Sequence, residues 1–135
     1  MEMRPEVLVL DDEAIVCDRL KAALEKAGFA VETYTESARV VKRLEEKKFH
    51  VVVTDLKMKE WDGIEVLKLI KTRSPETKVI MITGFATAEK AKEALALGAH
   101  DFIAKPFKLS RLRDIVISAS REPDGGAPQR PELPG

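Results

Sequence analysis

The chain has 135 residues, enough for one domain with a real core, and its 23 Lys+Arg balance 23 Asp+Glu. That balance argues against nucleic-acid binding by overall basic charge and against an acidic, disordered chain. One cysteine, Cys17, excludes an internal disulfide and reads as a small helix-packing residue rather than a nucleophile. The first apolar run, Val7–Leu10, is too short for a signal peptide or a membrane span, so a soluble cytoplasmic protein is expected.

Short apolar runs then alternate with amphipathic stretches. Val7–Leu10 is the first strand and stops at Asp11-Asp12-Glu13. Val16, Leu20, Ala23, Leu24 and Ala27 recur on one helical face, with Lys21, Glu25 and Lys26 on the other, and Gly28 follows as a helix stop. Phe29–Tyr34 has a polar face and is expected at a sheet edge. Ser37 is expected to cap a helix running to about Glu46, with Ala38, Val41 and Leu44 inward.

Val51-Val-Val-Thr54 reads as a strand buried on both faces, because β-branched side chains suit a pleated surface and nothing polar interrupts the valines. It ends at Asp55, and a polar loop closed by Asp62-Gly63 follows, with Gly63 expected to supply an unusual backbone angle. Ile64, Leu67 and Ile70 mark a third helix that Pro75 ends just after Ser74. Val79–Ile82 is a fourth strand, ending at Thr83-Gly84. An alanine-rich helix from about Thr87 to Leu97 is stopped by Gly98. Phe102–Ala104 is a fifth strand before Lys105-Pro106, and Leu109, Leu112, Val116 and Ala119 form a last helical face. The domain is placed at residues 1–121. Residues 122–135, dominated by Pro, Gly, Gln and Arg, are expected to be a disordered tail or linker.

Five strands alternating with five helices predict an α/β fold, a doubly wound parallel sheet with flavodoxin-like strand order 2-1-3-4-5. In that order, Asp11 and Asp12, Asp55, Thr83 and Lys105 converge at one crevice, where open α/β sheets place their ligands. Three crowded carboxylates repel, and desolvation adds to the cost of keeping them ionised. A magnesium ion relieves this through oxygen ligands while keeping some of its water, and Lys105 offsets further charge. A carboxylate so compensated can approach a phosphoryl group, with the Lys105 ammonium, the Thr83 hydroxyl and N–H groups near residue 57 on its oxygens. Asp55 is therefore the expected nucleophile, forming an aspartyl phosphate.

These residues, over roughly 5–120, resemble the receiver domain of bacterial two-component response regulators. The resemblance rests on Asp11-Asp12, on Asp55-Leu-Lys-Met58 with Asp62-Gly63, on Ile82-Thr83-Gly84 and on Lys105-Pro106-Phe107, each following its strand in order. It implies that Asp55 accepts phosphate from a partner histidine kinase or phosphotransfer protein. It implies that Asp12 and Asp55 ligate magnesium, with the Lys57 carbonyl as a third ligand and Asp11 acting through water. It further implies Thr83 and Phe102 as a switch pair, a cis Lys105-Pro106 bond, and an output or dimerisation face on the fourth helix, fifth strand and fifth helix. Two departures stand out: Lys59 where the family usually has Pro, which makes the loop less rigid, and Phe rather than Tyr at 102.

Each of these residues also has a simpler role open to it. Asp11 alone could be a helix cap, Thr83 a strand residue, Lys105-Pro106 a loop, and Phe102 core. His50 and His100 share no metal-ligand spacing, and Trp61 is expected to anchor its loop. A haloacid-dehalogenase-type phosphatase would carry Asp-x-Asp after its first strand, a spacing Asp11-Asp12-Glu13 lacks. A flavodoxin-like cofactor binder would need a phosphate-cradling loop there, where two acids repel phosphate. A receiver-like scaffold working without phosphorylation is the third alternative. No helix-turn-helix, ATPase or catalytic segment is legible after residue 121, so a stand-alone receiver and a piece of a longer regulator both fit.

Overall fold

The computed structural model describes residues 4–84 and 88–122. The elements run β1 (Glu6–Leu10), α1 (Ala14–Lys26), β2 (Ala30–Tyr34), α2 (Ser37–Glu46), β3 (Val51–Asp55), α3 (Gly63–Arg73), β4 (Lys78–Thr83), α4 (Ala88–Ala96), β5 (Asp101–Ala104) and α5 (Leu109–Arg121). All strand pairings are parallel, in the order β2-β1-β3-β4-β5, as the sequence predicts. β2 lies at an edge. The expected helix start at Thr87 and the expected disorder of 123–135 fall outside the described residues.

Alternation along the strands divides the core between two faces. Val7, Val9, Val51, Val53, Ile80 and Ile82 face α1 and α5, where Cys17, Leu20, Leu24, Leu112 and Val116 meet them. Leu8, Leu10, Val52, Val79 and Met81 face the other way, onto Val40 of α2, Ile64, Leu67 and Ile70 of α3, and Ala94 of α4. β3 is buried at every position, which its run of valines requires. Glycines stop α1 and precede β5 with positive φ, +103° at Gly28 and +107° at Gly98, a conformation other residues resist.

Several local expectations need correction. Ser37 does not cap α2; Glu36 holds that position, and no side chain caps the helix. The buried residues of α2 are Ser37 and Val40, and Leu44 packs half-buried against the core as expected, while Ala38 is exposed and Val41 only half-buried. This short helix lies near the sheet edge and has too few apolar residues to fix its face by spacing. Ala27 and Leu109 are exposed, because each sits at a helix end beyond the reach of the core. Gly63 has no positive φ; what it supplies is room. A Cβ there would lie 2.6 Å from the Asp55 carbonyl oxygen and 2.7 Å from the Leu56 Cα.

Candidate functional site

Because every strand runs the same way, their carboxyl ends share one rim. Register sets the neighbours there. Leu10 pairs with Thr54, Asp55 with Ile82, and Thr83 with Ala104, so Asp11, Asp55, Thr83 and Lys105 arrive side by side. Backbone bonds extend the ladders: Leu56 N–H donates to the Ile82 carbonyl at 2.8 Å, and Lys105 N–H to the Thr83 carbonyl at 2.8 Å. The Lys105-Pro106 peptide is cis, as expected.

The side chains complete the arrangement. Asp11 is fully buried and Asp55 is 5% exposed, while Asp12 is open to solvent. One oxygen from each of Asp11, Asp12 and Asp55 lies within 4.8 Å of the others. The Lys105 ammonium sits 2.8 Å from Asp11 Oδ2 and 3.1 Å from Asp55 Oδ2. The Lys57 N–H donates to Asp55 Oδ1 at 3.1 Å, and the Glu13 N–H to Asp11 Oδ1 at 2.8 Å. Among the described residues, buried Asp11 Oδ2 finds no hydrogen bond of proper geometry and has the Lys105 ammonium 2.8 Å away. Thr83 is fully buried at the end of β4.

Electrostatics follow from that crowding. Burial pushes the Asp55 carboxyl above its usual range; the Lys57 N–H and the Lys105 ammonium oppose this without cancelling it, and Asp11 adds to the rise. For Lys105, burial alone would lower the pKa, but its contacts with Asp11 and Asp55 outweigh burial and raise it. The two shifts agree: the lysine faces two carboxylates, whereas Asp55 shares one ammonium with a second acid. One lysine leaves negative charge uncompensated. The donors are all hard oxygens, and one buried oxygen lacks a hydrogen bond, so a magnesium-like cation fits the residues present.

Phe102 is half-buried and packs against the core on the α2–α4 face. Lys57 and Lys59 are exposed. His50 Nδ1 accepts the Glu6 N–H at 2.9 Å, and His100 Nε2 lies 3.9 Å from Glu122, both away from the rim. The Cys17 thiol is buried against the Asp11 carbonyl, 3.4 Å away, and burial pushes its pKa up to about 11, so it is inert at neutral pH. Trp61, 37% exposed as a residue, is tied down through its backbone: the Trp61 N–H donates to the buried Ser37 Oγ at 2.9 Å. The sequence carried no signal for that contact, since a serine at a helix start is ordinarily read as its cap.

The response regulator receiver domain family matches residues 7–117. The chain belongs to that family. The transcriptional regulatory protein FixJ of Bradyrhizobium diazoefficiens is 35% identical over 127 residues, covering 94% of this chain and 62% of FixJ. The response regulator PilR of Pseudomonas aeruginosa is 34% identical over 122 residues, 87% of this chain but 26% of PilR. The receiver domain thus spans less than two thirds of each of these relatives. Among solved structures, the beryllofluoride-activated NtrC4 receiver domain dimer superposes with a TM-score of 0.80 at 35% identity, over 84% of this chain and 94% of that one. The NtrX receiver domain of Brucella abortus gives 0.78 at 32%, over 84% and 97%. Receiver domains of this kind serve two-component signal transduction, and among the described residues no helix is long and apolar enough to cross a membrane.

Proposed function

We propose that this receiver domain accepts a phosphoryl group on Asp55 from a sensor histidine kinase or phosphotransfer protein, in a magnesium-dependent reaction. The single observation carrying this is the buried Asp55 carboxylate, held at the sheet rim by Lys105 and the Lys57 N–H amid more negative charge than Lys105 can offset. In the reaction an Asp55 carboxylate oxygen forms a bond to phosphorus, the donor's phosphorus–leaving group bond breaks, and its electron pair departs with the leaving group. Lys105 stays against the acceptor and offsets charge as it gathers on the phosphoryl oxygens. The Thr83 hydroxyl donates to one of those oxygens once the group is in place. Asp11, Asp12 and Asp55, with the Lys57 carbonyl, would hold the magnesium. When bound, that ion supplies charge neutralisation between carboxylates and phosphoryl oxygens.

The domain is then a phosphoacceptor module rather than a turnover enzyme, comprising residues 1–121 with 122–135 as a tail or linker. It acts in the cytoplasm, without contacting nucleic acid itself. Thr83 and Phe102 form the switch pair, and α4, β5 and α5 the output face. The NtrC4 receiver described as a beryllofluoride-activated dimer supports dimerisation as one output. The test is incubation with acetyl phosphate and magnesium followed by intact mass. Wild type is expected to gain one phosphoryl group and Asp55→Ala none; rapid acetyl phosphate hydrolysis with no adduct would instead favour a phosphatase.

A further inference from the structure

Ser37 is 2% exposed and opens α2, yet its hydroxyl serves another element. Ser37 Oγ accepts the Trp61 N–H at 2.9 Å and so ties the start of α2 to the loop that carries the chain from Asp55 to α3. That loop is closed twice where it enters α3. The Gly63 N–H donates to the Leu56 carbonyl at 2.7 Å, and Asp62 and Glu65 exchange hydrogen bonds at 2.9 Å. At its other end the Lys57 N–H reaches Asp55 Oδ1 at 3.1 Å. The segment between, Lys57-Met-Lys-Glu-Trp61, contains no proline to restrict its backbone. A hydroxyl fixed by burial at the start of a helix is a rigid post for such a segment. α2 gains nothing from it as a cap, and alanine at this position suits the helix at least as well.

We infer that Ser37 is a positioning residue for the site: by holding the Trp61 amide it fixes the 56–62 loop, and with it the Lys57 backbone groups beside Asp55. It touches neither donor nor cation; it decides how well formed their site is before they arrive. This rests on Asp55 being the phosphoacceptor, but the loop geometry does not, which lets the two be tested apart.

The experiment compares wild type, Ser37→Ala and Ser37→Thr in the full chain. Three quantities are read: amide hydrogen exchange, magnesium affinity from Trp61 fluorescence, and the rate of labelling by acetyl phosphate. Ser37→Ala is expected to speed exchange of amides 57–62 by about tenfold while β3 amides keep wild-type protection. It is expected to weaken magnesium binding by about tenfold, with labelling slowed at limiting magnesium and recovering at saturation. Ser37→Thr, which keeps the hydroxyl, is expected to restore all three. Wild-type loop exchange in Ser37→Ala would overturn the inference. So would a loosened loop with magnesium affinity and labelling within about twofold of wild type, since a purely structural hydroxyl would behave that way. If wild type itself bound no magnesium and took no phosphoryl group, the reading of Asp55 would fail and the positioning role with it, and this would be seen in the wild-type arm alone.

Discussion

The two ends of the sheet handle polar groups in opposite ways. At the amino ends of the strands nearly everything polar is paired. Thr77 Oγ1 donates to the Phe49 carbonyl at 2.6 Å and lies 2.7 Å from Ser74 Oγ. The Lys71 ammonium donates to the Pro75 and Thr77 carbonyls at 3.1 and 2.7 Å. His50 ties β1 to β4 by accepting the Glu6 N–H and offering its carbonyl to the Lys78 N–H at 3.0 Å. At the carboxyl ends three acids crowd together with Lys105 paired to two of them, and among the described residues one buried carboxylate oxygen finds no hydrogen bond. The first end is built for stability. The second keeps an electrostatic demand that a cation and a phosphoryl group can meet, and it costs stability until they do.

Substitutions that affect one end and not the other test this contrast. Gly63→Ala is expected to have the largest effect. Its new methyl would press on the backbone of Asp55 and Leu56, which cannot yield as a side chain can. A loss of about 3 kcal/mol in urea unfolding is expected, with acetyl phosphate labelling also lost because Asp55 is displaced. Next comes Thr77→Val, nearly isosteric, which leaves the buried Phe49 carbonyl and Ser74 hydroxyl short of a partner. About 2 kcal/mol should disappear while the labelling rate of folded protein stays at the wild-type value. A change in labelling would break the separation between the two ends.

Asp12→Asn should do the reverse. Asp12 is exposed, so the fold tolerates the change, and relief of repulsion is expected to leave cation-free melting equal to or above wild type. Magnesium affinity, measured calorimetrically, should fall by about tenfold.

The smallest expected effect is at the β2 edge, where Arg43 grips both oxygens of Glu32 at 2.9 and 2.8 Å. The Arg43 hydrogen bond chiefly holds the Glu32 carboxyl below its usual range. A depressed folded-state pKa adds stability above the unfolded value, about 4.3. That stability is lost as pH falls through the folded value. Glu32→Gln should therefore cost up to about 1 kcal/mol at pH 7 and progressively less below pH of about 4. A difference that persists unchanged at low pH would assign the effect to packing.

The sequence made the sheet readable because buried parallel strands demand uninterrupted apolar runs, and Val51–Val53 and Val79–Ile82 supply them. The rim was readable because each strand ends at a charged or hydroxyl residue, and parallel topology brings such ends together. What was hidden depends on contacts without periodicity. Ser37 meets Trp61 across two elements, and no local pattern distinguishes that role from capping. On α2 the spacing finds Leu44 but not Val40, because Val40 and Val41 serve a helical stripe equally well and only the sheet decides between them. Gly63 was noticed for its type, but its reason is close backbone approach, visible only once Asp55 and α3 are set in space.

Crowded charge at the rim is proposed to make one carboxylate, Asp55, the phosphoryl acceptor. The most direct test is to phosphorylate the protein with acetyl phosphate and magnesium, reduce the acyl phosphate with borohydride, and locate the product by tandem mass spectrometry. Homoserine at position 55 alone is the predicted result. Homoserine at 11 or 12, or none anywhere after labelling conditions, would contradict it.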